Sequence, residues 1–367
     1  MRTEIIRTAE HWSRLRVEWN QLLATSRADS LFMTWQWLDT WLQLQRPGVS
    51  LLVICVRGAD GELLGAAPYY ETRYTLGRLL PYRVLRVIGD VNSGAEYQAW
   101  IAHAPRAHEI CAEIAAALHA LRTEWDLIWM RKLDAWSTAH EPMIDALRGR
   151  GFLLNHRPHA FSAVALPGDY ESYLAKMSAN RRQQIRRLSN KIFSRPGVEI
   201  RRVASKDELD GALEALFRLH DARWRSIGQE GVFARNPRER EFYERFVPQA
   251  FEQGWLALYV LRDGGEPKAV QIGYIYKGAL LHLQEGFDPD YVANVGNALR
   301  AHVIQDCIAQ GLHEYDFLGG LSEHKRRWLA EERVGMDLLA AARRLKNAPI
   351  MTGRVWPTGA FLRPHAS

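Results

Sequence analysis

The chain has 367 residues, 47% of them hydrophobic and 25% charged, the balance of an ordinary globular protein with room for about two domains. No apolar run approaches the ~20 residues that span a bilayer, and the charged start MRTEIIRTAEHW lacks the apolar stretch of a signal peptide, so the cytoplasm is the expected location. A net charge of +6 and a pI of about 9.2 favour an anionic partner, whether nucleotide cofactor, tRNA or lipid surface.

Hydrophobic periodicity predicts, in chain order, a helix over Thr34 to Gln43, strands over Leu51 to Arg57 and Leu63 to Tyr70 around the turn Ala59-Asp60-Gly61, and a strand over Val84 to Ile88. A segment ending in Tyr97 to Ile101 follows, then a helix over Ala107 to Thr123, a strand over Leu127 to Met130 and a helix over His140 to Arg150. The second half opens with a strand over Ala163 to Leu166, a helix over Tyr170 to Phe193 and a strand over Val198 to Val203. Helices over Asp207 to Ser226 and Arg238 to Gln253 come next, then strands over Trp255 to Leu261, Ala269 to Tyr276 and Ala279 to Glu285. A glycine-led helix over Gly296 to Gln310, a strand over Glu314 to Leu318 and a last basic helix close the pattern. Each half thus holds a hairpin, a further strand, a long helix and another strand, the mark of a duplicated α/β unit. The expected halves are residues 1–158 and 159–345, joined by a linker at Asn155 to His159 around Pro158, with an irregular tail over 346–367.

Cys55, Cys111 and Cys307 are odd in number, widely spaced and set in apolar patterns, which disfavours disulfides and a zinc site and predicts buried, inert thiols. A phosphate loop, HExxH, CxxC and a GxSxG turn are all missing from the sequence, so covalent catalysis and a catalytic metal are not expected.

Val295, Gly296 and Asn297 begin a helix after a strand, where unpaired N–H groups and the positive end of the helix dipole suit a pyrophosphate. In the first half Ala102-His103-Ala104-Pro105-Arg106 stands in that place, so cofactor binding is expected in the second half alone. Along Tyr170 to Phe193, Leu174, Met177, Ile185, Leu188 and Ile192 form one apolar stripe, and Arg181 falls on it. An inward guanidinium needs a partner, either a structural carboxylate or a bound phosphate or carboxylate. Outward Arg182, Arg186, Arg187 and Lys191 form a basic face, either solvated surface or recognition patch. Strand alternation puts Tyr315 and Phe317 on one face and Asp316 with Leu318 on the other, leaving Asp316 either to serve chemistry or to tie down Gly319-Gly320. The same alternation pairs His282 with Gln284 and turns Glu285 to the opposite face. His220 and Trp224 share a helix face with Phe217, as core or as pocket wall.

The run Tyr315-Asp316-Phe317-Leu318-Gly319-Gly320 with Glu323-His324-Lys325-Arg326-Arg327-Trp328 resembles the "yDFxxGxxxYKxxW" ending of the bacterial CelD/BcsL acetyltransferases, relatives of the FemAB peptidyltransferases, with His324 where tyrosine is usual. Phe32 to Leu38, Ser178 to Arg182 and Leu219 to Trp224 are similar to that family's "F-x-S-x-x-W-L", "S-x-N-x-R" and "H-x-x-R-W" segments. The resemblance implies an α/β (α+β) fold of tandem GNAT-like acyl-CoA N-acyltransferase halves, two mixed sheets flanked by helices. It implies acyl-CoA, acetyl or longer, as co-substrate, gripped between splayed strands by Gln284, Val295, Gly296, Asn297 and Lys325. Asp316, Glu285 and His282 become candidate proton acceptors, with β-strand N–H groups holding the oxyanion. The acceptor, a sugar, polysaccharide-precursor or lipid amine of the cell envelope, is expected across the two halves, against Glu96, Tyr97, Arg181, His220, Trp224, Gln284 and Asp316. An acyl carrier protein and an anionic inner-membrane face are further expected partners; DNA is not expected. An aminoacyl-tRNA-dependent transferase is the disfavoured enzymatic alternative and a silent polysaccharide-assembly module the non-enzymatic one.

Overall fold

A computed structural model describes residues 1–45, 49–76, 80–352, 356 and 362–364. The chain divides into two compact units, the first of Met1–Val91, Ala95–His159 and Val334–Ser367, the second of Asn92–Gly94 and Ala160–Arg333.

The elements run β1 (Arg2–Ile6), α1 (Ala9–Arg14), α2 (Arg16–Ala24), α3 (Trp35–Gln45), β2 (Ser50–Arg57), β3 (Leu63–Leu76), β4 (Leu80–Val87), β5 (Ile101–Ala102), α4 (Ala107–Ala120), β6 (Leu127–Leu133), α5 (Glu141–Gly149) and β7 (Leu153–Ala165). They continue with α6 (Tyr170–Ala175), α7 (Ala179–Phe193), β8 (Val198–Arg202), α8 (Leu209–Arg225), α9 (Val232–Arg235), α10 (Pro237–Glu252), β9 (Leu256–Asp263), β10 (Glu266–Tyr276), β11 (Ala279–Phe287), α11 (Val295–Ala309), β12 (Glu314–Gly319), α12 (Glu323–Arg326), β13 (Glu331–Ala341), α13 (Ala348–Thr352) and β14 (Leu362–Pro364).

In the first unit the strands pair in the order β1-β2-β3-β4-β6-β13. β4 and β6 are parallel, through Val84↔Leu127, Leu85↔Ile128 and Arg86↔Trp129, because the chain crosses between them by α4. α3 is buried on every face from Trp35 to Leu42, its polar residues included: Asp39 accepts from the Trp12 indole N–H, Gln36 from the Asn20 amide, and the Thr40 hydroxyl donates to the Gln36 carbonyl.

In the second unit the order is β7-β12-β11-β10-β9-β8. Strands β9, β10 and β11 form an antiparallel meander, α11 crosses over, and β12 returns parallel to β11. The same succession of hairpin, strand, helix and parallel strand therefore occurs in each unit. One face of the second sheet is covered by α11 and α7, whose Ala298, Leu299, Ile304, Ile185 and Ile192 join one core with Tyr315 and Phe317.

Five expectations are corrected. Asn155 to His159 is not a linker but part of the thirteen-residue strand β7, where Pro158 is tolerated because its fixed φ suits extended backbone. The helix over Tyr170 to Phe193 is two helices, since Ser178 leaves the helical conformation and caps α7 by accepting from the Arg181 N–H. The closing basic helix is only the four residues of α12, and β13 follows it. Residues 334–345 belong to the first unit, where β13 pairs β6 through Leu338↔Met130 and Ala340↔Ile128. The tail is also partly regular: the Tyr82 hydroxyl donates to the Lys346 carbonyl at 2.5 Å, Ile350 is buried, and β14 pairs β3. Residues 353–355, 357–361 and 365–367 of that expected irregular tail lie outside the described residues.

Candidate active site

Strands β11 and β12 make three rungs, Ala279↔Glu314, Leu280↔Tyr315 and Leu281↔Asp316, and no more. Beyond them β11 continues against β10 as far as Phe287↔Ala269, so its edge from His282 onward is not paired with β12. The register on β10 jumps from Gly273↔His282 to Ile272↔Gln284, which makes Leu283 the extra residue of a bulge. Gly273 is required beside it: a Cβ there would come within 2.5 Å of the Leu281 carbonyl oxygen.

The bulge corrects the expected faces. An inserted residue inverts the alternation after it, so His282 and Glu285 share a face, with Nε2 and Oε2 3.9 Å apart, while Gln284 turns to the opposite side, toward His220. Glu285 is gripped from two helices. Arg300 of α11 donates from Nη2 to Oε2, and Arg223 of α8 stands with Nη1 3.1 Å from Oε1. Arg300 is 2% exposed, donates from Nη1 to Nε2 of His324, and lies 5.7 Å from the rings of both Phe317 and Trp328. His324, standing where the resembled ending has tyrosine, thus has a defined role as acceptor for a buried cation.

Burial raises the Glu285 pKa, but Arg300, His282 and Arg223 outweigh it and hold the group down at about 2. With one oxygen bonded by Arg300 and the other held by Arg223, Glu285 is engaged in the ion-pair cluster, which favours a structural role over the expected general-base one. Burial, reinforced by Arg300, lowers His282 to about 3 and keeps it neutral. Its Nε2 is buried without a hydrogen bond. His282 is the first residue past the last rung of the parallel pair, and its ring lies 5.8 Å from Tyr315 and 6.0 Å from Phe317.

Asp316 is 2% exposed, and its Oδ1 accepts from the Leu318 N–H at 2.7 Å. Leu318 has φ 58°, a left-handed conformation that costs a leucine about 1–2 kcal/mol. Lys325 holds the same turn, its ammonium donating to the carbonyls of Phe317 (2.9 Å), Gly319 (2.6 Å) and Gly320 (2.8 Å), while the Ser162 hydroxyl donates to the Gly320 carbonyl at 2.6 Å. The arrangement gives Asp316 and Lys325 to the turn, correcting Lys325 as a cofactor contact and favouring the structural alternative for Asp316.

At the start of α11, Asn294 takes φ 68° and Gly296 lies against Phe287, whose Cδ1 would be 2.9 Å from an added Cβ. Among the described residues no backbone carbonyl accepts from the Gly296 N–H, and the Asn297 amide group bonds Asn294 at 3.2 Å. Val295 is buried as the helix's anchor and offers no side chain to a ligand. In the first unit α4 instead follows a short turn over Ala104–Arg106 that contains Pro105.

Arg181 is inward, as its place on the stripe requires, but not ion-paired: its guanidinium lies 5.0 Å from the Trp328 ring. His220 is 2% exposed, accepts from the Trp224 indole N–H at 3.0 Å and packs 4.8 Å from Phe233, so the pair is chiefly core. Burial lowers His220 to about 4. Glu96 and Tyr97 belong to the first unit, where Glu96 accepts from the Lys132 ammonium at 2.7 Å and Tyr97 holds φ 52° with its ring 5.8 Å from Trp136. The three thiols are free and buried, pushed up to about 12 by that burial. Among the described residues no cluster of His, Cys, Asp or Glu is placed to hold a metal, and no helix is long and apolar enough to cross a membrane.

A pH dependence follows. His220 and His324, each lowered to about 4 with burial as the leading cause, and His282, at about 3, bind protons more readily unfolded than folded. Stability should therefore fall as pH drops from about 6.5 toward 4, and Glu285 extends the loss between about 4.5 and 2. Urea midpoints measured across pH 4 to 7 check this; a flat profile would contradict it.

Residues 179–326 match the family model described as acetyltransferase (GNAT) domain. None of the curated proteins matches the chain. Among solved structures, FemX shares 11% identity at a TM-score of 0.61, with 96% of this chain and 100% of that one covered. The C-terminal domain of a protein assigned as a lysylphosphatidylglycerol synthetase of Agrobacterium fabrum shares 10% at 0.55, covering 97% and 100%. L-PGS from Bacillus licheniformis shares 13% at 0.52, covering 91% and 94%. At such identities the likeness is one of fold. Residues 179–326 are therefore an acetyltransferase (GNAT) domain, and the protein that carries it is a GNAT-type acyltransferase.

Proposed function

We propose that the second unit is a CelD/BcsL-type N-acyltransferase that moves an acyl group from acyl-CoA, acetyl or longer, to an amine of an envelope-related acceptor, a sugar, polysaccharide precursor or lipid. The observation that carries this reading is the early end of the β11–β12 pairing at Leu281/Asp316 beside the α11 N-terminus, which leaves a strand edge and the Gly296 N–H for a thioester and its pyrophosphate. The acceptor amine attacks the thioester carbonyl carbon, a carbon–nitrogen bond forms, and the carbon–sulfur bond breaks to release the thiolate. Backbone N–H groups of β11 stabilise the oxyanion. The unpartnered Nε2 of His282 is the group placed to take the amine proton, which ends on the leaving sulfur. The phospholipid in the name of the Agrobacterium fabrum relative supports a lipid among the acceptors. An aminoacyl-tRNA donor is the alternative, and the acidic-free α7 would be its contact.

Binding of CoA to wild type and Asn297→Asp tests the assignment. A carboxylate at the helix start suits the helix dipole yet repels a pyrophosphate, so the thermal midpoint should hold while affinity falls about tenfold, or ~1.4 kcal/mol. Unchanged affinity would remove CoA from α11, and no CoA binding by wild type would favour the tRNA donor.

A further inference from the structure

The start of α7 and the helix α12 enclose a second feature of the same unit, an open recess of about 510 Å³. Its wall carries four cations, Lys176, Arg181, Arg326 and Arg327, with Ser178 and Asn180 between them and no carboxylate. Among the described residues Lys176, Arg181 and Arg326 make no ion pair, and Arg327 stands 3.5 Å from Glu323 with both side chains largely in solvent.

Arg181 is the informative member. Its Nε is buried without a hydrogen bond, its guanidinium lies 5.0 Å from the Trp328 ring centre, and the arginines that act on it, Arg327 and Arg300, are of the same sign. A guanidinium stays protonated, so a purely structural arginine in this position would be expected to meet a carboxylate. An anion in the recess would supply the missing partner, and the fork of an arginine matches a phosphate in two parallel hydrogen bonds. Arg182, Arg186, Arg187 and Lys191 continue the positive field along α7, which contains no acidic residue.

We propose that this recess binds a small phosphate-bearing ligand, a phosphomonoester or diphosphate, at a place separate from the thioester groove between β11 and β12. The inference stands independently of acyl transfer, since binding alone tests it. Titration calorimetry of the full chain with inorganic pyrophosphate should show saturable binding that weakens with salt. Arg181→Met, and Arg326→Glu combined with Arg327→Glu, should each lower the affinity at least about tenfold. Arg187→Met, outside the recess, should leave it unchanged. Competition with adenosine 3′,5′-bisphosphate or with phosphatidylglycerol vesicles tells a nucleotide phosphate from a lipid headgroup as the source. Absent binding, equal affinity in Arg181→Met and wild type, or a loss confined to Asn297→Asp overturns the proposal, and none of these bears on the α11 assignment, which CoA binding tests.

Discussion

Replacing Arg300 with methionine is expected to lower the unfolding free energy by about 3 to 5 kcal/mol, because it removes one partner of a buried ion pair and leaves the other charged. The side chain is enclosed by Glu285, His324, Phe317 and Trp328, so no water replaces what is lost. Arg187→Met on exposed α7 should stay within about 0.5 kcal/mol. Urea transitions of the two variants decide the matter, and similar midpoints would show that Arg300 is not the keystone of this cluster. Adding Glu285→Gln to Arg300→Met should recover part of the loss, since it removes the orphaned charge.

The second large effect separates chemistry from architecture. His282→Gln cannot accept a proton from the acceptor amine, so thiol release from acetyl-CoA with a panel of amines should slow by about two to four orders of magnitude, while CoA binding persists. Asp316→Ala should instead cost about 1 to 3 kcal/mol by leaving the Leu318 N–H unsatisfied. Asp316→Asn, which can still accept that bond, should turn over near the wild-type rate once folded. If Asp316→Asn is folded and inactive while His282→Gln is active, the proton acceptor is Asp316.

The contrast shows where sequence stops informing. The strand-helix-strand unit was legible because Gly296 marks a helix start and apolar spacing changes from two to near four around it. The inward Arg181 was legible from its place on the stripe of Leu174, Ile185 and Ile192. The bulge at Leu283 was not, since one inserted residue changes no composition, yet it exchanges the faces of Gln284 and Glu285. Ser178 could have signalled the break between α6 and α7, because a serine before a basic helical run is a favoured cap. Arg300 was not singled out although the signal was present: an arginine between Leu299 and Ala301, in a helical stretch that also carries the apolar Ala298, Val303 and Ile304, must find a carboxylate. Its distance from Glu285 in sequence, fifteen residues, is bridged only by the crossover, which no local pattern reveals.

The strand β13 carries a last consequence, for the order in which the protein is made. The second unit is almost a single stretch of chain, Ala160–Arg333, whereas the first must recover Val334–Ser367 after that stretch has been synthesised. β6 has its β13 partner, Leu339 against Trp129, only once the chain as far as Ala341 has left the ribosome. Domains fold as units during synthesis, usually from the N-terminus. Here the later-encoded unit can finish first, and the earlier one waits, with one sheet edge open, for β13 to emerge.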